Sequence, residues 1–228
     1  MSSNFPDIPV ELIWGAACQA LSTNNGEYIK PEDVMDKTFD KDELGKQTNR
    51  ELIEFYAFNT DKISEQSIKD GEEIRNYLKG MLFKMLSEEL KSDYFIKLIK
   101  LATDDELKLK SSNIAYIASA PNAVIREQFK EGQLKKVKEC DPGYVGRLHE
   151  SVQLNFRIIK SHYSEDWERY YITAITTDNK LITYSTKNRR LIGVDTIVTA
   201  TANVKAHFID QYTKHETTKL NNVRTGIK

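Results

Sequence analysis

Ile197-Val198-Thr199-Ala200-Thr201-Ala202-Asn203-Val204-Lys205-Ala206-His207 decides the fold of the C-terminal part of this chain. Successive side chains of a strand point to opposite faces. Val198, Ala200, Ala202, Val204 and Ala206 therefore share one face. Ile197, Thr199, Thr201, Asn203, Lys205 and His207 share the other, so Lys205 and His207 are predicted to point away from the interior. A small inward face of valine and alanine suits a tightly closed barrel. The same period of two runs upstream, where Val152, Leu154, Phe156 and Ile158 alternate with Gln153, Asn155 and Arg157. Arg169 to Thr177 is rich in Tyr, Ile and Thr, Asp178-Asn179 makes a hairpin turn, and Leu181 to Ser185 follows as a third strand. Thr217 to Val223 supplies a fifth.

Upstream of Gly146 the period is helical. Pro9 stands where a first turn tolerates it, and Val10, Ile13, Trp14, Ala17 and Leu21 recur at helical spacing until Asn24-Asn25-Gly26. Residues 30–50, with Pro31 and Gly45, read as a long loop holding one helical turn. Leu52, Ile53, Phe55, Tyr56 and Phe58 form a short helical patch. Asp70 and Glu73 have capping-box spacing ahead of a stripe from Ile74 through Tyr77, Leu78, Met81, Leu82, Met85 and Leu86 to Leu90. Such a stripe is core rather than a cofactor box. Ser92 caps the next helix, carrying Phe95, Leu98, Ile99 and Ala102, and Pro121 separates two more helices at Asn113 to Ala118 and Val124 to Phe129. Lys135-Lys136-Val137-Lys138 and the turn Asp141-Pro142-Gly143 then read as a linker.

The expected organisation is an acidic helical domain over residues 1–130, a basic linker over 131–145, and a barrel over 146–228. The fold class is α+β, with a helical N-terminal domain followed by a five-stranded OB-type β-barrel, because a long strand, a hairpin, a break near Lys187 to Val194 and two further strands is the OB order. Charge divides the same way. From Arg147 onward there are 13 Lys and Arg against 8 Asp and Glu, or +5, and the remaining 20 and 26 give −6 before it. A basic module displaces counterions from phosphates, which favours a polyanionic partner. No run of eighteen apolar residues and no basic-then-apolar leader is present, and two distant cysteines fit a reducing cytoplasm, so the expectation is a cytoplasmic protein with no membrane association.

Several stretches carry a family likeness. Gly193-Val194-Asp195-Thr196-Ile197-Val198, Ala202-Asn203-Val204-Lys205-Ala206-His207 and Thr218-Lys219-Leu220-Asn221-Asn222-Val223-Arg224 resemble the strands of OB modules in tailed-bacteriophage proteins, as does Gly143-Tyr144-Val145-Gly146 before the first strand. Gly71-Glu72-Glu73-Ile74-Arg75-Asn76-Tyr77-Leu78 and Ile117-Ala118-Ser119-Ala120-Pro121 are similar to the helical part that accompanies such modules. The chain departs from the pattern in the long Tyr212 to Glu216 stretch and in lacking the usual glycine near Trp167. The resemblance implies a phage single-stranded-DNA-binding protein of replication or recombination, acting in the host cytoplasm with replication proteins or copies of itself as partners.

No phosphate loop, GxGxxG, HExxH or GxSxG occurs, so no enzyme and no cofactor is expected. Asp104-Asp105-Glu106 reads as a solvated face. His207, His215 and Cys140 match no zinc spacing. The barrel instead interleaves Tyr163, Trp167, Tyr170, Tyr171 and Tyr184 with cations, among them Lys160 and Arg169. Single strands need flat rings for bases and a cationic track for phosphates. The expected contacts are Arg157, Lys187, Arg189, Arg190, Lys205, His207 and Lys219 for phosphate and polar groups, with Trp167, Tyr171 and Tyr184 for stacking. Tyr170 and Tyr171 face opposite sides, so one of that pair is structural. The alternative function is a protein-interaction adaptor that uses the same barrel face without nucleic acid.

Overall fold

A computed structural model describes residues 5–35, 47–87, 92–211 and 213–225. It divides into two compact units, Met1–Gln128 and Phe129–Lys228.

The first unit is helical. α1 (Val10–Thr23) carries Ile13, Trp14, Ala16, Ala17 and Ala20 into a core shared with α3 (Asn49–Phe58), α4 (Glu65–Gly80) and α6 (Asp93–Thr103). α2 (Pro31–Met35) is the single turn expected after Lys30; residues 36–46, with Gly45, lie outside the described residues. Thr48 and Glu51 close a capping box on α3. α4 begins six residues earlier than Asp70 suggested. Its cap is Ser64, which accepts from Ser67 N, while Asp70 lies mid-helix and accepts from Gln66 Nε2 at 2.7 Å. The stripe also breaks at Met81, after which α5 (Leu82–Leu86) starts afresh; Leu90 lies outside the described residues. Ser92 caps α6 as expected.

α7 (Ile114–Lys138) overturns two readings. Pro121 sits inside it rather than between two helices. Its fixed φ is helical, and Ile117, Ala118, Ala120 and Val124 on either side are fully buried, which outweighs one lost hydrogen bond. The stretch from Glu131 to Lys138, read as linker, is its last turns. Lys135, Lys136 and Lys138 there suit the negative end of the helix dipole.

The second unit holds β1 (Ser151–Ser164), β2 (Arg169–Thr176), β3 (Leu181–Thr186), β4 (Ile197–Ile209) and β5 (Glu216–Thr225). They close in the order β1-β2-β3-β5-β4, with β3 and β5 parallel and the other pairs antiparallel. This is an OB-type barrel. Phe156, Ile158, Ile172 and Tyr184 fill it together with Val198, Ala200, Ala202 and Val204, the β4 face that parity predicts; Ala206, expected on that face, lies beyond a bulge and pairs with exposed Lys219 instead. The break between β3 and β4 holds a 3-10 turn, Arg189–Leu191, whose Leu191 joins that core.

Candidate nucleic-acid interface

A β-bulge sets the outward face. Ile158 pairs with Ala174 and Lys160 with Thr173, so Ile159 is the extra residue of β1. Ile158 packs in the barrel, whereas Ile159 packs outside it with Val137, Cys140 and Leu181. Gln133 Nε2 donates to the Ile159 carbonyl at 2.8 Å. The last turns of α7 thus cover one end of the outward sheet face. Beyond the bulge the parity of β1 is reversed. Lys160, which simple alternation puts inside, is exposed.

Two outward rows follow from the register. Lys160 pairs with Thr173, Thr173 with Thr183, and Thr183 with Lys219, so a cation ends each side of a hydroxyl-lined row about 14 Å long. In the next row His162 pairs with Tyr171 and Tyr171 with Ser185. Tyr171 is 43% exposed. A groove of about 370 Å³ adjoins the first row, lined by Leu134, Val137, Lys160, Thr173, Thr183 and Thr217 among others.

The β1–β2 turn stands at the far end of this face and carries Trp167, 69% exposed. Glu168 there adopts φ 47°, the left-handed conformation for which the turn lacks a glycine. Asp166 and Glu168 make the turn itself acidic, and Glu168 Oε2 lies 3.5 Å from Lys187 Nζ in an exposed pair. Such a pair contributes about 0–1 kcal/mol and leaves Lys187 able to exchange partners. Tyr163 and Tyr170 rings lie 4.8 Å apart; Tyr170 packs on the barrel core, so it is the structural member of the Tyr170 and Tyr171 pair.

The expected contacts do not form one patch. Trp167, Tyr171, Lys187 and Lys219 lie on the β2–β3–β5 side just described. Arg189 and Arg190 are exposed in the turn after β3. Arg157 lies before the bulge, paired with Ile175 and Ile197, about 13 Å along β2 from Tyr171. Lys205 is exposed on β4, as its parity predicts, at a bulge between Val204 and Ala206. His207 is a correction. The bulge reverses the parity of β4, so His207 pairs with buried Thr218, itself beside Ile182 of the barrel core. It turns to the interior side, where its ring stacks on Tyr144 at 4.4 Å and its Nε2 lies 3.3 Å from the Val145 carbonyl. One ring face is therefore already occupied.

Tyr184 is a correction. Its ring is 2% exposed, packs edge-on against Phe156, and donates its hydroxyl to the Leu191 carbonyl at 2.9 Å. Burial raises its pKa, and no base can reach the ring. Residues 181 to 186 alternate too weakly in polarity to reveal that Tyr184 points inside. His162 was missed, and Lys160, named among the accompanying cations, was not placed at the face, because the bulge hides the orientation of both; the adjacent pair Ile158-Ile159 is its one trace in sequence. No group of three His, Cys, Asp or Glu side chains gathers as a metal site among the described residues, where His215 Nε2 contacts the Cys140 carbonyl at 2.9 Å. No described helix is long and apolar enough to cross a membrane.

No protein-family model, curated protein or solved structure matches this chain. The assignment of the barrel accordingly rests on its strand order and register.

Proposed function

We propose that the barrel binds single-stranded nucleic acid, DNA in the first place, without catalysis, as in a phage replication or recombination system. The observation that carries this reading is the exposed Tyr171 ring beside the Lys160–Lys219 row on the sheet face that OB barrels use for oligonucleotides. Tyr171 and Trp167 offer π-faces to unstacked bases. Lys160, Lys187 and Lys219 offer charge to the phosphates between them. Because α7 covers one end of the face, the footprint is a few nucleotides.

Fluorescence anisotropy with a labelled single strand tests this. Tyr171→Ala should weaken binding by about 1–3 kcal/mol with little change in salt slope. Lys160→Ala with Lys219→Ala should reduce that slope by roughly 1.4, at about 0.7 per phosphate of a single strand. Wild-type chain that ignores the oligonucleotide at low salt would sink the proposal and leave the adaptor reading.

A further inference from the structure

The helical unit has a cleft of its own, about 600 Å³, within the range of small-molecule sites. One face of α7 makes its floor. Ala115, Ser119 and Ala123 recur every four residues there, and Tyr116 and Arg126 flank them, while Ile117, Ala118, Ala120 and Val124 enter the core from the other face. Three small side chains in a row leave volume where larger ones would fill it. Tyr28 and Tyr94 complete the wall, and exposed Lys30 lines it as well.

The polar atoms inside are ordered. Tyr94 and Tyr116 rings stack at 5.8 Å and 28°. Ser119 Oγ donates to the Tyr116 carbonyl at 2.9 Å, so in its 2.6 Å contact with Tyr94 the phenol is the donor. The Tyr28 phenol also lies close to Ser119. Burial, foremost, raises both the Tyr28 and Tyr94 phenols, so these rings add no negative charge. Glu32 and Asp33 stand near Tyr28 and raise it further. Lys30 and Arg126 have no ion-pair partner among the described residues.

We propose that this cleft binds a nucleotide unit, with the base against the Tyr94 and Tyr116 rings and the phosphate at Arg126 and Lys30. Aromatic walls and free cations around one small hollow call for a ligand that joins a flat π-system to a compact anion. An acidic peptide offers only the charge and leaves the rings wet. The site is separate from the barrel face and does not depend on the reading given to it.

Calorimetric titration of the full chain with adenosine 5′-monophosphate, adenosine and inorganic phosphate tests the assignment. The monophosphate should saturate one site and bind at least about tenfold more tightly than either half, since a charge-assisted contact is worth about one decade or more. Arg126→Ala should weaken it about tenfold. Ala115→Phe should abolish binding by filling the hollow from an exposed position, with the thermal melt unchanged. Tyr171→Ala should leave it intact. In that barrel variant, a 5′-phosphorylated pentanucleotide that displaces the monophosphate assigns the unit to a strand end; failure to displace assigns a free nucleotide. The proposal is overturned if the monophosphate does not bind at millimolar concentration, if Arg126→Ala and Ala115→Phe both leave its affinity unchanged, or if Tyr171→Ala removes it.

Discussion

Gly71 shows how one residue sets the spacing of two helices. A Cβ there would stand 2.6 Å from Gly15 N and 2.6 Å from the Trp14 carbonyl carbon. Backbone atoms cannot yield as a side-chain tip can, so α1 and α4 cross where neither has a side chain in the way. Gly71→Ala adds helix propensity and still should destabilise the chain by about 1–3 kcal/mol, the usual cost of overpacking. Chemical denaturation of the variant measures this; an equal or higher midpoint would show that the helices can part freely. Tyr184 makes the same point for the candidate site. Its aromatic character was legible from sequence, but its place inside the barrel followed from its pairing with Ile172 and from the Leu191 carbonyl that takes its proton.

Within elements, cores are more legible in sequence than ends and joints. A serine immediately before a helical period, as at Ser92, has one obvious use. Ser64 is obscured because Asp70 and Glu73 imitate the same signal inside a helix. α4 and α6 are also tied in a way no local pattern predicts. Arg75 of α4, largely buried, donates to the carbonyls of Ala102 at 2.9 Å and Asp104 at 3.3 Å and to Asp105 Oδ1 at 2.5 Å. Hydrogen bonds from Arg75 first, and then from Lys79, lower the Asp105 pKa below its ordinary 3.8. A carboxyl depressed in the folded state stabilises above its unfolded pKa and loses that contribution as pH falls through the folded one. The stability gap between wild type and Asp105→Asn should therefore be full near neutrality and close as the solution is acidified below about pH 4. Melting temperatures of both proteins across that range decide it; a gap independent of pH would mean that the Asp105 charge contributes nothing.

For the molecule as a whole, the end of α7 belongs with the barrel. Val137 and Cys140 lie with Ile159 and Leu181, all at most 6% exposed. A fragment of residues 129–228 should unfold cooperatively. One starting at Gly146, the boundary that strand periodicity suggests, leaves Ile159 and Leu181 uncovered and should lose several kcal/mol, at about 1.5–3 kcal/mol for each large apolar side chain exposed. Thermal melts of the two fragments compare them, and equal stability would show that α7 is dispensable to the barrel.

The class of each half is legible in sequence alone, because alternation along β1 and β4 and the three- and four-residue steps of α1 and α6 are local consequences of backbone geometry. Parity along β4 is enough to place Val198 to Val204 and Lys205, and it fails at His207 because the bulge beside Lys205 leaves no trace in the alternation. Everything that depends on pairing is settled by long-range contacts instead. The register between β1 and β2 placed the bulge at Ile159 and turned Lys160 and His162 outward, and with the β2–β3 and β3–β5 registers it aligned Lys160 with Lys219 across four neighbouring strands. The packing on both sides of Pro121 kept α7 whole. Residues 115 to 126 likewise carry no binding motif; their alanines leave a hollow only because tyrosines from two other segments stand around it. A periodicity reports which way a side chain points, but which groups meet there depends on contacts between residues far apart in the chain.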